Sequence, residues 1–307
     1  MVRITAKNLK KIYNRKISLS KKSPFEAVKS LDLQVKNHEV LSIVGKNGAG
    51  KTTVVKMLAG VMAPTEGTVF VDGENPFCRT REYRKKVTLV LGQKGQMDVD
   101  VSILDNALYF AAIYGIKKRE AIMRIYELAD LLEISDCLKQ QVRTLSLGQK
   151  MKGEFLIAFL HKPTIIYLDE PTLGLDYSTQ RLLRQFLNDY KTKNDVAMVL
   201  TSHNIEDIES LSDSILIIDK GQKIFEGTIQ KLRGKIETRK ELIFQYEGKP
   251  QDIPFEVKRI GMNKFSVSIK ESQERWYLEK LIDVPKIKDI SIEAQNLNEI
   301  IEQLYDN

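Results

Sequence analysis

The chain is short of the residues that staple proteins or bind metals. It has two cysteines, Cys78 and Cys137, with no C-x-x-C pair. That excludes a disulfide framework and a cysteine-built metal site, and it fits a reducing compartment. Histidine is scarce too: His38, His161 and His203 are the three present. Tryptophan occurs once, at Trp276. No apolar stretch approaches the roughly 18–20 residues that cross a bilayer. Runs such as Ile165–Leu168, Val196–Leu200 and Ile215–Ile218 have the length of strands instead. The opening Met1-Val2-Arg3-Ile4-Thr5-Ala6-Lys7 lacks the apolar core of a secretory signal. Sustained heptads are missing as well, which excludes long coiled-coil arms.

At 307 residues the chain can hold one large domain and a small one. The net charge is +7, and the excess lies before residue 235. Such a balance permits attraction to nucleic acid or to an anionic membrane face without choosing between them.

The richest segment is Gly45-Lys46-Asn47-Gly48-Ala49-Gly50-Lys51-Thr52-Thr53, a complete G-x-x-x-x-G-K-[ST] loop. An apolar run, Val40 to Val44, precedes it and reads as a buried strand; Thr52 to Ala59 reads as the start of a helix. Strand, glycine loop and helix together make a phosphate cradle. Backbone N–H groups turn inward and the helix dipole adds positive potential. In such a loop Lys51 reaches the β- and γ-phosphates, and the Thr52 hydroxyl ligates Mg²⁺. Many nucleoside triphosphatases share this loop, so the class must come from elsewhere.

Downstream, Ile165 to Asp169 reads as a strand ending in a carboxylate, and Glu170 follows at once. Successive strand residues point to opposite sides, so one carboxylate can organise a metal while the next addresses an attacking water. The guanine-reading Asn-Lys-x-Asp of GTPases is not evident. Leu145-Ser146-Leu147-Gly148-Gln149 lies ahead of that strand, Leu173-Gly174-Leu175-Asp176 after it, and His203 follows a further apolar strand. His38 and His161 read as structural.

In this ordered set the chain resembles the ATP-binding-cassette (ABC) ATPases over roughly residues 1–230. The resemblance implies an α/β fold: a mixed sheet core with an antiparallel β subdomain and a helical subdomain. It also implies ATP and Mg²⁺ as ligands, with Gly45, Asn47, Gly48, Gly50, Lys51, Thr52 and Thr53 on the phosphates. Asp169 matches the Mg²⁺-organising residue, Glu170 the general base, and His203 the switch histidine. Gln93 resembles the loop glutamine that touches Mg²⁺. Ser146, Gly148 and Gln149 resemble the signature that covers the γ-phosphate of an opposite subunit, and Asp176 the aspartate that crosses the dimer interface. Tyr13 resembles the adenine-stacking aromatic; Phe25 is its rival, since residues 15–24 look inserted. Two departures stand out: Leu147 where the family most often has glycine, and Lys46 for a frequent proline.

Residues 1–232 are expected to form the ATPase domain, with the helical subdomain at about 94–158, and 235–307 a small accessory α+β domain. Residues 1–12 and 28–36 read as antiparallel strands joined by a basic loop. Arg119–Glu133 and Lys150–Leu160 read as helices, and so does Glu274–Ile282, with Trp276 in a core. Asn296 caps a final helix. A tail of this length is similar to those on bacterial exporter ATPases. The resemblance therefore implies an ATPase subunit, cytoplasmic and peripheral on the inner face of the membrane, driving export through a permease on a separate chain. It would act as a homodimer or beside a second ABC ATPase, with no nucleic acid expected. An importer ATPase, or a soluble cassette ATPase acting on ribosomes or DNA, is the alternative.

Overall fold

The computed structural model describes residues 1–16, 22–92, 95–235, 239–248, 252–294 and 296–306. These fall into two compact units, Met1–Gly227 and Thr228–Asn307.

The first unit opens with a long antiparallel pair, β1 (Val2–Lys16) and β2 (Lys22–Lys36). Their pairing runs out to Lys16 opposite Lys22. The strands therefore continue well into the segment that the sequence reading assigned to a basic loop. Cross-strand hydrogen bonding extends them where hydrophobic alternation has already stopped. β3 (Val40–Val44) leads into α1 (Lys51–Leu58), and β4 (Glu66–Val71) returns to pair with β1. The short helix α2 (Arg81–Lys86), capped by the Thr80 hydroxyl, precedes β5 (Val87–Leu91).

Three helices follow: α3 (Ile103–Tyr114), α4 (Lys118–Leu131) and α5 (Leu147–Phe159). Then come β6 (Ile165–Asp169), α6 (Tyr177–Lys193), β7 (Ala197–Thr201), α7 (Ile205–Leu211), β8 (Ser214–Asp219) and β9 (Gln222–Gly227). Six of these strands form one sheet in the order β5-β6-β7-β3-β8-β9, parallel except for β9.

Both faces of that sheet are covered, which is why its strands read as continuous apolar runs rather than alternating ones. Ile165 and Tyr167 of β6 face a core shared with α1 and the three-stranded sheet β2-β1-β4. Ile166 and Leu168 face the opposite core, built from α3 to α6. The loop from β3 to α1 and the ends of β6 and β7 thus emerge at one sheet edge, where parallel α/β sheets place their ligands.

The second unit holds α8 (Ile229–Lys235), β10 (Arg239–Tyr246), β11 (Lys258–Arg259), β12 (Lys264–Lys270), α9 (Glu274–Ile282), β13 (Ile287–Ala294) and α10 (Leu297–Asp306). Its sheet is antiparallel, in the order β11-β12-β10-β13. Leu242, Phe244, Phe265, Ile269 and Leu281 form its core. Trp276 corrects the sequence reading: it is 49% exposed, edge-on to Tyr277, while Leu281 takes the buried position on α9. Half a turn separates the two faces of a helix, and composition alone does not say which face is inward. Among the described residues, no helix is long and apolar enough to cross a membrane.

Candidate functional site

The glycine loop owes its shape to backbone crowding. Gly50 caps α1 at φ 110°, and a Cβ there would lie 2.5 Å from the Ala27 carbonyl oxygen. Gly48, at φ 82°, has nothing within 4 Å of such a Cβ, so the loop stays open on that side. Lys51 is the first residue of α1 and is buried. Its Nζ donates to the Gly45 carbonyl at 2.8 Å and lies 3.0 Å from His203 Nε2.

Asp169 ends β6 directly opposite Thr201 of β7. Its Oδ1 accepts from the Thr201 hydroxyl at 2.7 Å and from the Thr52 hydroxyl at 3.1 Å. The strand stops there, since Glu170 turns to φ 52°. The two carboxylates therefore diverge through this left-handed turn, not through strand alternation as the sequence suggested. The Glu170 N–H donates to both the backbone oxygen and the hydroxyl of Thr201, each at 3.0 Å. Its Oε2 accepts the backbone N–H of His203 at 3.1 Å.

Glu170 Oε1 is buried and accepts no hydrogen bond, although His203 Nε2 stands 3.2 Å and Lys51 Nζ 3.9 Å away. These distances are consistent with one tautomer. The ammonium donates to Nε2, which is then a lone-pair nitrogen with no proton for the carboxylate. Burial raises the Glu170 pKa, outweighing the Lys51 charge and the His203 N–H that act against it. Burial likewise lowers Lys51, against the pull of Glu170 and Asp169. His203 is lowered by burial and then by the Lys51 charge, which favours the neutral ring.

Tyr13, Phe25, Asn47, Gly48, Gly50, Lys51, Thr52, Thr53, Glu170 and His203 line a common cavity of about 640 Å³. Tyr13 and Phe25 are cross-strand partners, so both rivals for the aromatic role stand at its mouth. The Tyr13 hydroxyl reaches Met62 Sδ at 3.0 Å and Thr53 Oγ1 of α1 at 3.4 Å, which ties that ring beside the helix.

Ser146, Gly148, Gln149 and Asp176 gather elsewhere. Ser146 caps α5, accepting from Gln149 N at 3.2 Å, while Gln149 Oε1 accepts the Ser146 N–H at 2.9 Å. The helix thus opens three residues before the position that apolar periodicity suggested. A Cβ on Gly148 would lie 3.0 Å from Thr179 Oγ1 and 3.4 Å from Asp176 Oδ2. Asp176 caps α6 and accepts from Ser178 and Thr179, which lowers its pKa. None of these four residues lines the Lys51 cavity. The chain therefore presents two separate clusters.

Gln93 lies outside the described residues. Its neighbour Gly92 is held against the site: its N–H donates to the Asp169 carbonyl at 2.8 Å, and a Cβ there would lie 2.0 Å from the Glu170 oxygen. His38 pairs with Asp195 at 2.7 Å on the surface. His161 stacks on Tyr114 at 3.9 Å, away from the cavity. No sequence motif marks Thr201, which serves both carboxylate segments. Only its place two residues before His203, at a strand end, could have drawn attention to it.

Comparison with known proteins bears on this geometry. The model of the ABC transporter family matches residues 28–173. The ABC transporter ATP-binding protein NatA of Bacillus subtilis is 31% identical over 212 residues, 69% of this chain and 86% of NatA. The Nod factor export ATP-binding protein I of Cupriavidus metallidurans is 30% identical over 226 residues, 74% of this chain and 71% of that protein. Among solved structures, a dimeric ATP-binding cassette in a post-hydrolysis state, bound to ADP and Pi, superposes with a TM-score of 0.67 at 23% identity. That match covers 74% of this chain and 98% of the other.

Proposed function

This chain belongs to the ABC transporter family as an ATP-binding ATPase, and from that premise we propose that it powers export through a permease carried on a separate chain. The observation that carries the reading is the separation of the two clusters within one chain. Lys51, Glu170 and His203 line one cavity, whereas Ser146, Gly148 and Asp176 gather at the start of α5, outside that lining. Two chains placed head to tail would complete two sites. A homodimer answers this arrangement with a single gene product, and a second ABC ATPase answers it equally well in kind.

Within each completed site, ATP's β- and γ-phosphates would take the donors that Lys51 now gives to Gly45 and His203. The loop N–H groups from Gly45 to Thr53 would hold the remaining oxygens. Thr52 and Asp169, whose oxygens already stand 3.1 Å apart, would hold Mg²⁺. Among the described residues no trio of His, Cys, Asp or Glu could cage a metal. That suits Mg²⁺, which keeps waters and phosphate ligands of its own and neutralises charge at the phosphates. Gln93 would complete that set.

Glu170 Oε1, buried and without a donor, is the acceptor for an attacking water. His203, neutral, would turn from Lys51 and carry its proton on Nε2, where it can donate to the γ-phosphate. Ser146 and Gly148 of the second chain, at the dipole end of its α5, would cover that phosphate, with Gln149 bracing the cap and Asp176 contacting across the interface. One of Tyr13 and Phe25 would stack on adenine. ATP binding closes the pair and hydrolysis opens it, and this two-state dimer would bias an attached permease.

Export is supported by the kinship to a protein named for Nod factor export. We place the chain on the cytoplasmic face of the membrane, with Thr228–Asn307 as its accessory domain. The test is affinity purification of tagged Glu170→Gln protein with ATP from gently solubilised membranes. A polytopic membrane protein at matched stoichiometry supports the reading. Recovery of ribosomes or DNA, or of the ATPase alone, overturns it. Substrate flux assayed in inverted vesicles then separates export from import.

A further inference from the structure

A buried carboxylate that the reaction does not use sits behind the site. Asp207, in α7, is fully buried at 0% exposure. Its Oδ2 accepts from the Thr172 hydroxyl and, at 2.7 Å, from the Ser202 hydroxyl. Its Oδ1 accepts from Arg184 Nη1 at 3.0 Å. Thr172, Ser202 and Arg184 are themselves buried. Thr172 stands two residues beyond Glu170, and Ser202 immediately before His203.

We propose that Asp207 is a positioning residue for hydrolysis: one carboxylate clamps the segment carrying Glu170 to the segment carrying His203. The inference rests on the reading of those two residues given above. With both hydroxyls fastened to a single group, base and histidine cannot shift independently. Their direct contact, Glu170 Oε2 to the His203 N–H, is then held from a second side.

The clamp extends further. Gln180 Nε2 donates to the Thr172 and Leu175 carbonyls at 3.3 and 3.1 Å, and its Oε1 accepts from Asn204 at 2.9 Å. Arg184, also paired with Glu206 at 2.7 Å, lies on α6, the helix capped by Asp176. A displacement at the interface aspartate therefore has a rigid route, through α6 and Arg184, to the pair that handles the water. Stability alone does not call for this arrangement, because a buried ion pair is often no better than apolar packing of the same volume. The Asp207 charge also adds to the forces that raise the Glu170 pKa.

Asp207→Asn would leave Arg184 buried beside a neutral amide and risks misfolding, so the test uses the two hydroxyls. Thr172→Val and Ser202→Ala each remove one arm of the clamp and leave the ion pair intact. Phosphate release, trinitrophenyl-ATP affinity and melting temperature are measured on the full chain. Each variant should lose roughly tenfold in kcat while nucleotide affinity stays within about twofold, as expected for a small misplacement of reacting groups. Thr172→Ser, which keeps the hydroxyl, should retain the rate. An unchanged kcat with a lower melting temperature overturns the proposal, and so does a parallel loss of affinity. Glu170→Gln is run alongside. If it still turns over, the assignment of the base fails. If it is dead while both clamp variants are fully active, the clamp alone fails.

Discussion

In the proposed role of base, Glu170 must be deprotonated yet basic, and burial favours that balance. Its pKa stands above the ordinary 4.5 because desolvation exceeds the help from Lys51. The working form is the anion, so activity is lost as pH falls through this raised value. The acid limb of kcat should therefore lie above the range of an exposed glutamate. A kcat–pH profile with melting temperature followed in parallel checks this; a limb at 4.5 or below would remove burial as the cause. Glu170→Gln keeps the volume and removes the basicity. It should lower kcat by about 10² to 10⁴, the usual worth of a general base, with ATP affinity unchanged. An undiminished steady-state rate in that variant would remove Glu170 from the role.

At the scale of elements, each end of α5 bears a polar contact whose loss can be measured. Ser146 caps its start with a reciprocal Gln149 bond, so Ser146→Ala should cost about 1 kcal/mol. That corresponds to a fall of roughly 2–4 °C in melting temperature for a unit of this size. The loss of ATPase activity should exceed what that fall explains, since the same hydroxyl would face the partner's phosphate. A rate that drops only with the folded fraction would leave Ser146 as a cap alone. Just beyond the other end, His161 stacks on Tyr114 of α3 and its Nε2 meets the Val87 carbonyl at 3.2 Å. Nε2 must then carry the proton, which leaves Nδ1 buried without a donor. Burial lowers this histidine from 6.5 to about 4. The unfolded chain binds the proton first, so stability is full above pH 6.5 and is lost as pH falls toward 4. His161→Phe keeps the stack and should flatten the dependence of melting temperature in that window. An unaltered slope would assign the acid sensitivity to other groups.

For the molecule as a whole, the two clusters predict association that depends on nucleotide. Sedimentation of Glu170→Gln protein should show a shift from monomer to dimer on adding ATP with Mg²⁺. Chelation of Mg²⁺ should abolish turnover by the wild-type chain. A Glu170→Gln protein that stays monomeric at saturating ATP would leave the Ser146 and Asp176 cluster without its proposed partner.

The glycine loop, the Asp-Glu pair, the signature and His203 were legible because phosphate chemistry restricts both residue type and order along the chain. The buried strands were legible because a parallel sheet covered on both faces needs uninterrupted apolar runs. Local sequence did not show the left-handed turn at Glu170, the reach of β1 and β2 beyond their hydrophobic alternation, or the exposure of Trp276. Nor did it show the hydrogen bonds of Thr201, Thr172 and Asp207 around Asp169, Glu170 and Ser202, because those residues meet only when β6, β7, α6 and α7 converge. Contacts between distant segments follow from packing, and no spacing rule along one strand or helix records them. Sequence by itself determined which chemical groups the chain carries and in what order. Tertiary structure alone decided that they divide into two clusters on one chain, because helix and strand ends are brought together by burial of faces the reactive residues do not share.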